Sequence, residues 1–310
     1  MGMRSSRRLK ALLGLTAAAL SAGCPPVNPP PGGGNPNDAA DRQAISALLA
    51  GPDVQPFFQS RLINDGVGIY GGRAEVLPLG LPRRWGRSYA MALQGEEKSI
   101  AESISIQFVS ETEAMGLFKR SRGGKLVLDY TWQRQLLSKP FVETRLRTAR
   151  FRKSAGTWFL SDVNLERIQP DGSKLKAGQF TLSVDGQSAR RFQHGDWLAV
   201  ADLPRVSPNS WGRVEVELSY TEGAGDQSLY AFLYVPPSGD RLSLRDDGLH
   251  GDKKARDGVY TAEFVFPSQP GLGHLVIDAV AGKTFVDPAM TNYDATQWGI
   301  PYRVEGGEAR

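Results

Sequence analysis

After Asp38 the apolar positions return at helical spacing. Ile45, Leu48 and Leu49 share one face, Asp38 stands where a cap is needed, and Gly51-Pro52 ends the run. Phe57, Phe58, Leu62 and Ile63 predict a second short helix before Asn64-Asp65-Gly66. Further on, the period changes to two. Ile104, Ile106 and Phe108 alternate with polar residues, and so do Leu126, Leu128, Tyr130 and Trp132, which predicts two strands with a hairpin turn at Gly123-Gly124. A second hairpin is predicted from Thr144–Lys153 to Thr157–Ile168 across Ser154-Ala155-Gly156. The Lys, Arg and Glu residues between Arg134 and Lys153 alternate as the solvated face of a strand would. Helices followed by an antiparallel meander make an α+β order.

From residue 178 the texture is all β. Phe180–Val184, Trp197–Val200, Val214–Leu218, Leu229–Val235, Leu242–Leu244, Val259–Phe266 and His274–Val280 read as short strands separated by Pro, Gly or Asp. That pattern describes an immunoglobulin-like sandwich without the cysteine pair of antibody domains. The expected domains are therefore residues 38–172 and 175–306.

The ends of the chain add an address. Arg4, Arg7, Arg8 and Lys10 precede the apolar run of residues 11–22, which is too short to span a bilayer and reads as a signal peptide over residues 1–23. Leu20-Ser21-Ala22-Gly23-Cys24 resembles a bacterial lipobox, with Ser21 where Leu is usual, and that resemblance implies lipidation of Cys24. Residues 24–37 are rich in Pro and Gly and would act as a tether reaching roughly 40 Å when extended. Pro25, in place of an Asp, favours an outer-membrane address, with the folded domains in the periplasm or on the cell surface.

Export also changes the charge. The chain carries 37 Lys and Arg against 33 Asp and Glu, and the leader takes four of the bases and none of the acids, so what remains is balanced. Nothing in that balance supports a nucleic-acid partner. Cys24 is the only cysteine, so the folded part holds no disulfide, thiol nucleophile or cysteine-ligated metal.

The hairpin Arg147–Val163, a basic strand and a tight turn followed by a Trp158-led strand, is similar to the last hairpin of NTF2-like cone domains. That resemblance implies an NTF2-like cone for residues 38–172. Enzymes on such cones place a His–Asp pair or a lone carboxylate in the cavity. The three histidines, His194, His250 and His274, all lie outside residues 38–170, which excludes histidine-based chemistry built from that segment. Asp129 reads as a solvated strand position, and Tyr70, Tyr89 and Tyr130 as packing or pocket walls. Ala281-Gly282-Lys283-Thr284 ends like a phosphate loop, but Ile277 stands where its first glycine is needed.

One stretch carries chemistry on its face. Asp246-Asp247-Gly-Leu-His-Gly-Asp252-Lys-Lys-Ala-Arg-Asp257-Gly-Val-Tyr260 packs four aspartates among glycines. It resembles a strand-connecting turn of bacterial Ig-like domains. Clustered carboxylates suit calcium, with Asp246, Asp252 and Asp257 as the ligands, although the spacing is not that of an EF-hand. Asp side chains that accept backbone amides and Asp-Gly pairs that supply positive φ explain the same residues as turn chemistry, and that reading accounts for every glycine.

The expectation is a lipid-anchored envelope lipoprotein with a non-enzymatic role in binding or assembly. Its partners would be the membrane, through the anchor, and an envelope protein or polysaccharide, with no cofactor beyond the calcium just weighed. The alternative is a small-molecule binding protein or weak enzyme using a cavity in residues 38–172. A wall-associated carbohydrate module would be favoured by exposure of Trp197, Trp211 or Trp298.

Overall fold

Strands dominate the described residues, and in many of them buried positions recur at a period of two. The computed structural model describes residues 38–58, 82, 84–89, 102–130, 135–221, 228–236, 241–286 and 292–306. The leader, Cys24, the tether, Leu62, Ile63, Tyr70, Trp132 and the capping side chain of Asp38 lie outside the described residues. The helices are α1 (Asp38–Ala50), α2 (Gln55–Phe58) and α3 (Lys283–Val286). The strands of the first half are β1 (Arg84–Tyr89), β2 (Glu102–Ser110), β3 (Glu113–Tyr130), β4 (Gln135–Ser154), β5 (Thr157–Asn164) and β6 (Glu166–Gln169). There follow β7 (Leu175–Val184), β8 (Arg190–Gln193), β9 (Trp197–Ala199), β10 (Arg205–Val206), β11 (Trp211–Tyr220) and β12 (Leu229–Tyr234). The last are β13 (Arg241–Leu244), β14 (Val259–Val265), β15 (Gly271–Ala281) and β16 (Ala295–Val304).

These strands make a mostly antiparallel fold of two sheets. The larger has twelve strands and runs β1-β3-β4-β6-β16-β15-β12-β13; the smaller runs β14-β11-β7-β8. The predicted hairpin at Ser154-Ala155-Gly156 is present, and Ala155 and Gly156 both have positive φ, as a two-residue turn of the twist-matching kind requires. Gly123-Gly124 is not a turn. It lies inside β3, and β2 turns into β3 across Glu111-Thr112 instead. At this glycine pair β3 changes neighbour, pairing with β2 through Arg120 and with β1 from Gly124 onward. A Cβ on Gly124 would stand 2.6 Å from the Ser88 carbonyl oxygen and 2.8 Å from the Phe141 ring, so the absent side chain lets β1 close in.

The two sheets face each other across a shared apolar core, an arrangement compatible with a β-sandwich. Phe180 and Leu182 of β7, Val214 and Val216 of β11 and Phe264 of β14 pack there against Leu233, Ile277, Trp298 and Ile300 of the larger sheet. The larger sheet is also covered on its other face. Trp85, Leu126, Leu128 and Phe141 meet Phe232, Val276, Val280 and Phe285 in a second cluster. Strands buried on both sides need continuous apolar runs, which explains why β12 and β15 do not alternate. Ile45, Phe57, Ala149, Phe151 and Trp158 form a third cluster, which seats α1 on β4 and β5.

Two corrections to the sequence expectations follow from burial. The alternating charges of β4 do not face water: Lys139, Glu143, Arg145 and Arg147 are all buried. Asp129 is buried as well, in the run Leu128-Asp129-Tyr130, and is not a solvated position. Between β6 and β7, where the expected boundary falls, the chain is fixed: Ser173 Oγ donates to Asp294 at 2.6 Å and the Lys174 amide to the same carboxylate at 3.1 Å. The larger sheet runs across that position through the β6–β16 pairing.

Candidate functional site

One face of the larger sheet is polar inside. Cross-strand neighbours share a face, and the register sets Arg145 opposite Ile168, Ile168 opposite Gln297, and Gln297 opposite Asp278. On the other side of β4, Arg120 of β3 stands opposite Arg145, Phe118 opposite Arg147 and Arg122 opposite Glu143. The period of two then places Glu143, Arg145 and Arg147 in a row along this face.

At one end of the row a closed set of charges forms around Arg87. Its guanidinium grips Asp278 bidentately at 2.6 and 2.9 Å, donates from Nε to the Tyr293 hydroxyl at 2.7 Å, and lies 3.5 Å from Glu143. Tyr293 in turn donates to Glu143. Burial works against the Arg87 charge, but Asp278, Tyr293 and Glu143 together raise its pKa well above the ordinary value. Lys139, beyond Phe141 on the same face of β4, donates to the Thr284 carbonyl at 2.8 Å.

At the other end the groups are less completely matched. Glu166 pairs with Arg145 and lies 3.6 Å from Arg147 Nη2. Arg147 Nη1 donates to the Phe57 carbonyl and lies 3.3 Å from His274 Nε2. Burial, aided by Arg145, lowers the Arg147 pKa to about 9. A pocket of about 30 Å³ lies at this level, and its lining includes Arg120, Arg145, Arg147 and Glu166 together with Phe58, Ile104 and Phe118.

His274 belongs to β15, yet it meets Arg147 of β4. The absence of histidine from residues 38–170 therefore did not keep a histidine away from this interior. Burial, then Arg147 and Arg145, push its pKa well below the ordinary value, so the ring is neutral and serves Arg147 as an acceptor. The sign of the linkage follows. Below about pH 6.5 the unfolded chain takes up a proton that the folded protein does not, so stability falls as the pH drops from 6.5, by at most about 1.4 kcal/mol per unit. Urea titrations between pH 7 and 5 are expected to show that slope, and His274→Asn is expected to flatten it. An unchanged slope in the variant would assign the effect to other groups.

The acidic loop between β13 and β14 brings three of its aspartates together. Carboxylate oxygens of Asp246, Asp252 and Asp257 lie within 4.8 Å of one another. Asp246 accepts the amides of Asp257 at 3.1 Å and Gly258 at 2.9 Å. Asp252 accepts those of Gly248 at 2.6 Å and Lys254 at 3.2 Å, and Asp257 accepts that of Val259 at 3.0 Å. Asp247 accepts the Leu249 amide at 2.8 Å, and its other oxygen faces His250 Nδ1 at 3.4 Å. Gly248, His250, Gly251, Arg256 and Gly258 all have positive φ, so the loop is a sequence of tight turns closed by carboxylates. The Gly248 amide, with that of Lys254, holds the Asp252 carboxyl below the usual range against the opposing effect of burial.

The same oxygens have the chemistry a hard cation asks for. Each keeps a lone pair beyond its amide bond, and Lys253 is turned toward Glu215 at 3.6 Å. If calcium binds, Asp246, Asp252 and Asp257 are the side chains that would hold it. The internal hydrogen bonds are sufficient to order the loop without it.

Sequence reasoning missed the charged interior. A signal was present: Asp278 stands in the otherwise apolar run His274–Val280, and an acid in a strand covered on both faces needs a buried cation. The tryptophans divide. Trp298 is buried, Arg150 lies over the Trp197 ring at 4.6 Å, and Trp211 is 55 % exposed beside exposed Val265. No family description, curated protein or solved structure matches the chain.

Proposed function

We propose that the protein is a lipid-anchored lipoprotein of the bacterial envelope whose role is binding or assembly, without catalysis of its own. The observation that carries this reading is the disposition of the interior ionisable groups. Arg87, Glu143, Asp278 and Tyr293 hold one another, and His274 is kept neutral against Arg147. Groups committed to each other in this way stabilise a shape and do not stand ready to exchange protons with a substrate. An NTF2-like cone for residues 38–172 fits helices leading into a curled meander. An Ig-like sandwich for residues 175–306 fits the core shared by the two sheets. No helix among the described residues is long and apolar enough to cross a membrane. The lipobox-like Leu20–Cys24 is what supports attachment through Cys24.

The pocket beside Arg147 supports the second reading, a small-molecule binding protein, and makes binding the more specific half of the proposal. The anchor is tested by expressing the chain and Cys24→Ala in a Gram-negative host with an alkyne-tagged fatty acid. The unsubstituted chain is expected to be labelled and to sediment with membranes, and Cys24→Ala to lose both properties. Cys24→Ala that stays in the membrane fraction would overturn the lipid anchor.

A further inference from the structure

Arg147 ties α2 to the larger sheet, and that tie leans on a histidine. A helix leaves its last carbonyls without partners of its own, and in α2 the Phe57 carbonyl takes a hydrogen bond from Arg147 Nη1 of β4. The same Nη1 lies 3.3 Å from His274 Nε2 of β15. It carries two hydrogens, one for each acceptor, as long as the ring is neutral with its proton on Nδ1.

The groups around His274 set the effect of a proton there. Burial opposes a charge on the ring, and so do Arg147 and Arg145 of β4. From β6 comes Glu166, which is paired with Arg145 and lies 3.6 Å from Arg147 Nη2. Across on β16 the neighbour is Pro301, with exposed Arg303 one step further along that face. Along β15 the ring is flanked on its own face by Leu272 and Val276. α2 presents the Phe57 carbonyl. A protonated ring turns an N–H toward Arg147 where it had offered a lone pair, and sets two cations 3.3 Å apart. Arg147 relieves this by withdrawing Nη1, and the Phe57 carbonyl loses its donor with it.

We propose that His274 and Arg147 form a pH-sensitive latch, which holds α2 against β4 at neutral pH and releases it in acid. The release is local, because α1 has its own ties. Lys153 and Trp158 donate to Asp41 at 2.7 and 3.0 Å, and Arg42 donates to the Ile106 carbonyl at 2.8 Å. Lys153 and then Trp158 hold the Asp41 carboxyl below its usual range, so these ties persist in mild acid. Phe58 lines the same pocket as Arg145, Arg147 and Glu166, and a released α2 opens that pocket to solvent. The latched form excludes the proton and the released form accepts it. Latching is therefore complete above about pH 6.5 and weakens as the pH falls. The latch is a property of the fold and stands apart from the membrane anchor.

The test is hydrogen exchange of the full mature chain between pH 7 and 5, carrying Cys24→Ser so that no detergent is needed. Each rate is divided by its intrinsic value at that pH. The reporting amides are those of Gln55 and Phe57, which donate to the carbonyls of Gly51 at 2.8 Å and Val54 at 3.0 Å. Their protection is expected to fall below about pH 6.5, by at most about tenfold per unit, while the amides of α1, β4 and β5 keep theirs. His274→Gln puts an amide oxygen near the place of Nε2 and takes up no proton, so its α2 protection is expected to be equal at pH 7 and 5. The His274 ring signals, followed by NMR, decide the matter if that variant does not fold: the proton is expected to arrive together with the loss of α2 protection. Four outcomes would overturn the proposal: α2 protection that is constant with pH, the same loss in His274→Gln, loss at α1 and β4 alongside α2, or a protonated ring while α2 stays protected.

Discussion

Asp278→Ala is expected to destabilise the protein by about 3–5 kcal/mol, the cost of breaking a buried ion pair by removing one partner. Asp278 is fully buried and takes two hydrogen bonds from Arg87, which is itself fully buried. The substitution removes the bidentate partner of a buried guanidinium and leaves Glu143 beside it at 3.5 Å, already accepting from Tyr293. It also opens a void between β15 and β1. Arg87→Met strands Asp278 and Glu143 together and is expected to cost at least as much. Urea unfolding of each variant, with the slope checked for two-state behaviour, measures both. A loss under 1 kcal/mol for Asp278→Ala would mean that the pair is no better than a hydrophobic contact of the same size. Asp278→Leu combined with Arg87→Met distinguishes charge stranding from lost volume, because that pair removes the guanidinium and the carboxylate that grips it together.

Asp252→Ala is expected to cost about 3 kcal/mol, the loss of two backbone hydrogen bonds to a charged acceptor in a position only 8 % exposed. Through these two bonds Asp252 ties Gly248 to Lys254, and Gly248 is one of the loop's left-handed residues. The same loss is expected in calcium and in chelator, because the loop is closed by its own amides. Thermal unfolding of the unsubstituted chain under both conditions decides the role of Asp246, Asp252 and Asp257. An ion at a hundredfold excess over its dissociation constant would add about 2.7 kcal/mol, a readily measured shift. Equal melting temperatures would assign the three aspartates to turn formation. A calcium-dependent gain that disappears in Asp252→Ala would make them ligands.

The period-two pattern was legible where it met a turn of defined chemistry. Ser154-Ala155-Gly156 folds as read because a two-residue hairpin asks for positive φ at both of its residues. Gly123-Gly124 has the same look and does something else, since the demand on Gly124 comes from Ser88 and Phe141, residues distant in sequence. All seven strands read from residue 178 onward exist. The final strand, β16, was not read, because Gly299 and Pro301 break its pattern. Pro301 is tolerated there: β6 pairs with β16 only as far as Gly299 and β10 begins at Arg303, so its missing N–H falls between two partners among the described residues.

By itself, the sequence determined local matters: the seven strands read from residue 178 onward, where α1 runs, and the tight turns of the acidic loop. Each of these depends on propensities and spacings that act over a few residues. Only the tertiary structure decided which face of β4 is inside. Alternation separates two faces without saying which one meets water, and the curl of the larger sheet turned the charged face of β4 inward. The same closure brought Arg87 to Asp278 and His274 to Arg147, pairs separated by more than a hundred residues. A buried charge is stable only beside its partner, and the partner is chosen by register and curvature across the whole sheet, a property that no single stretch of the chain contains.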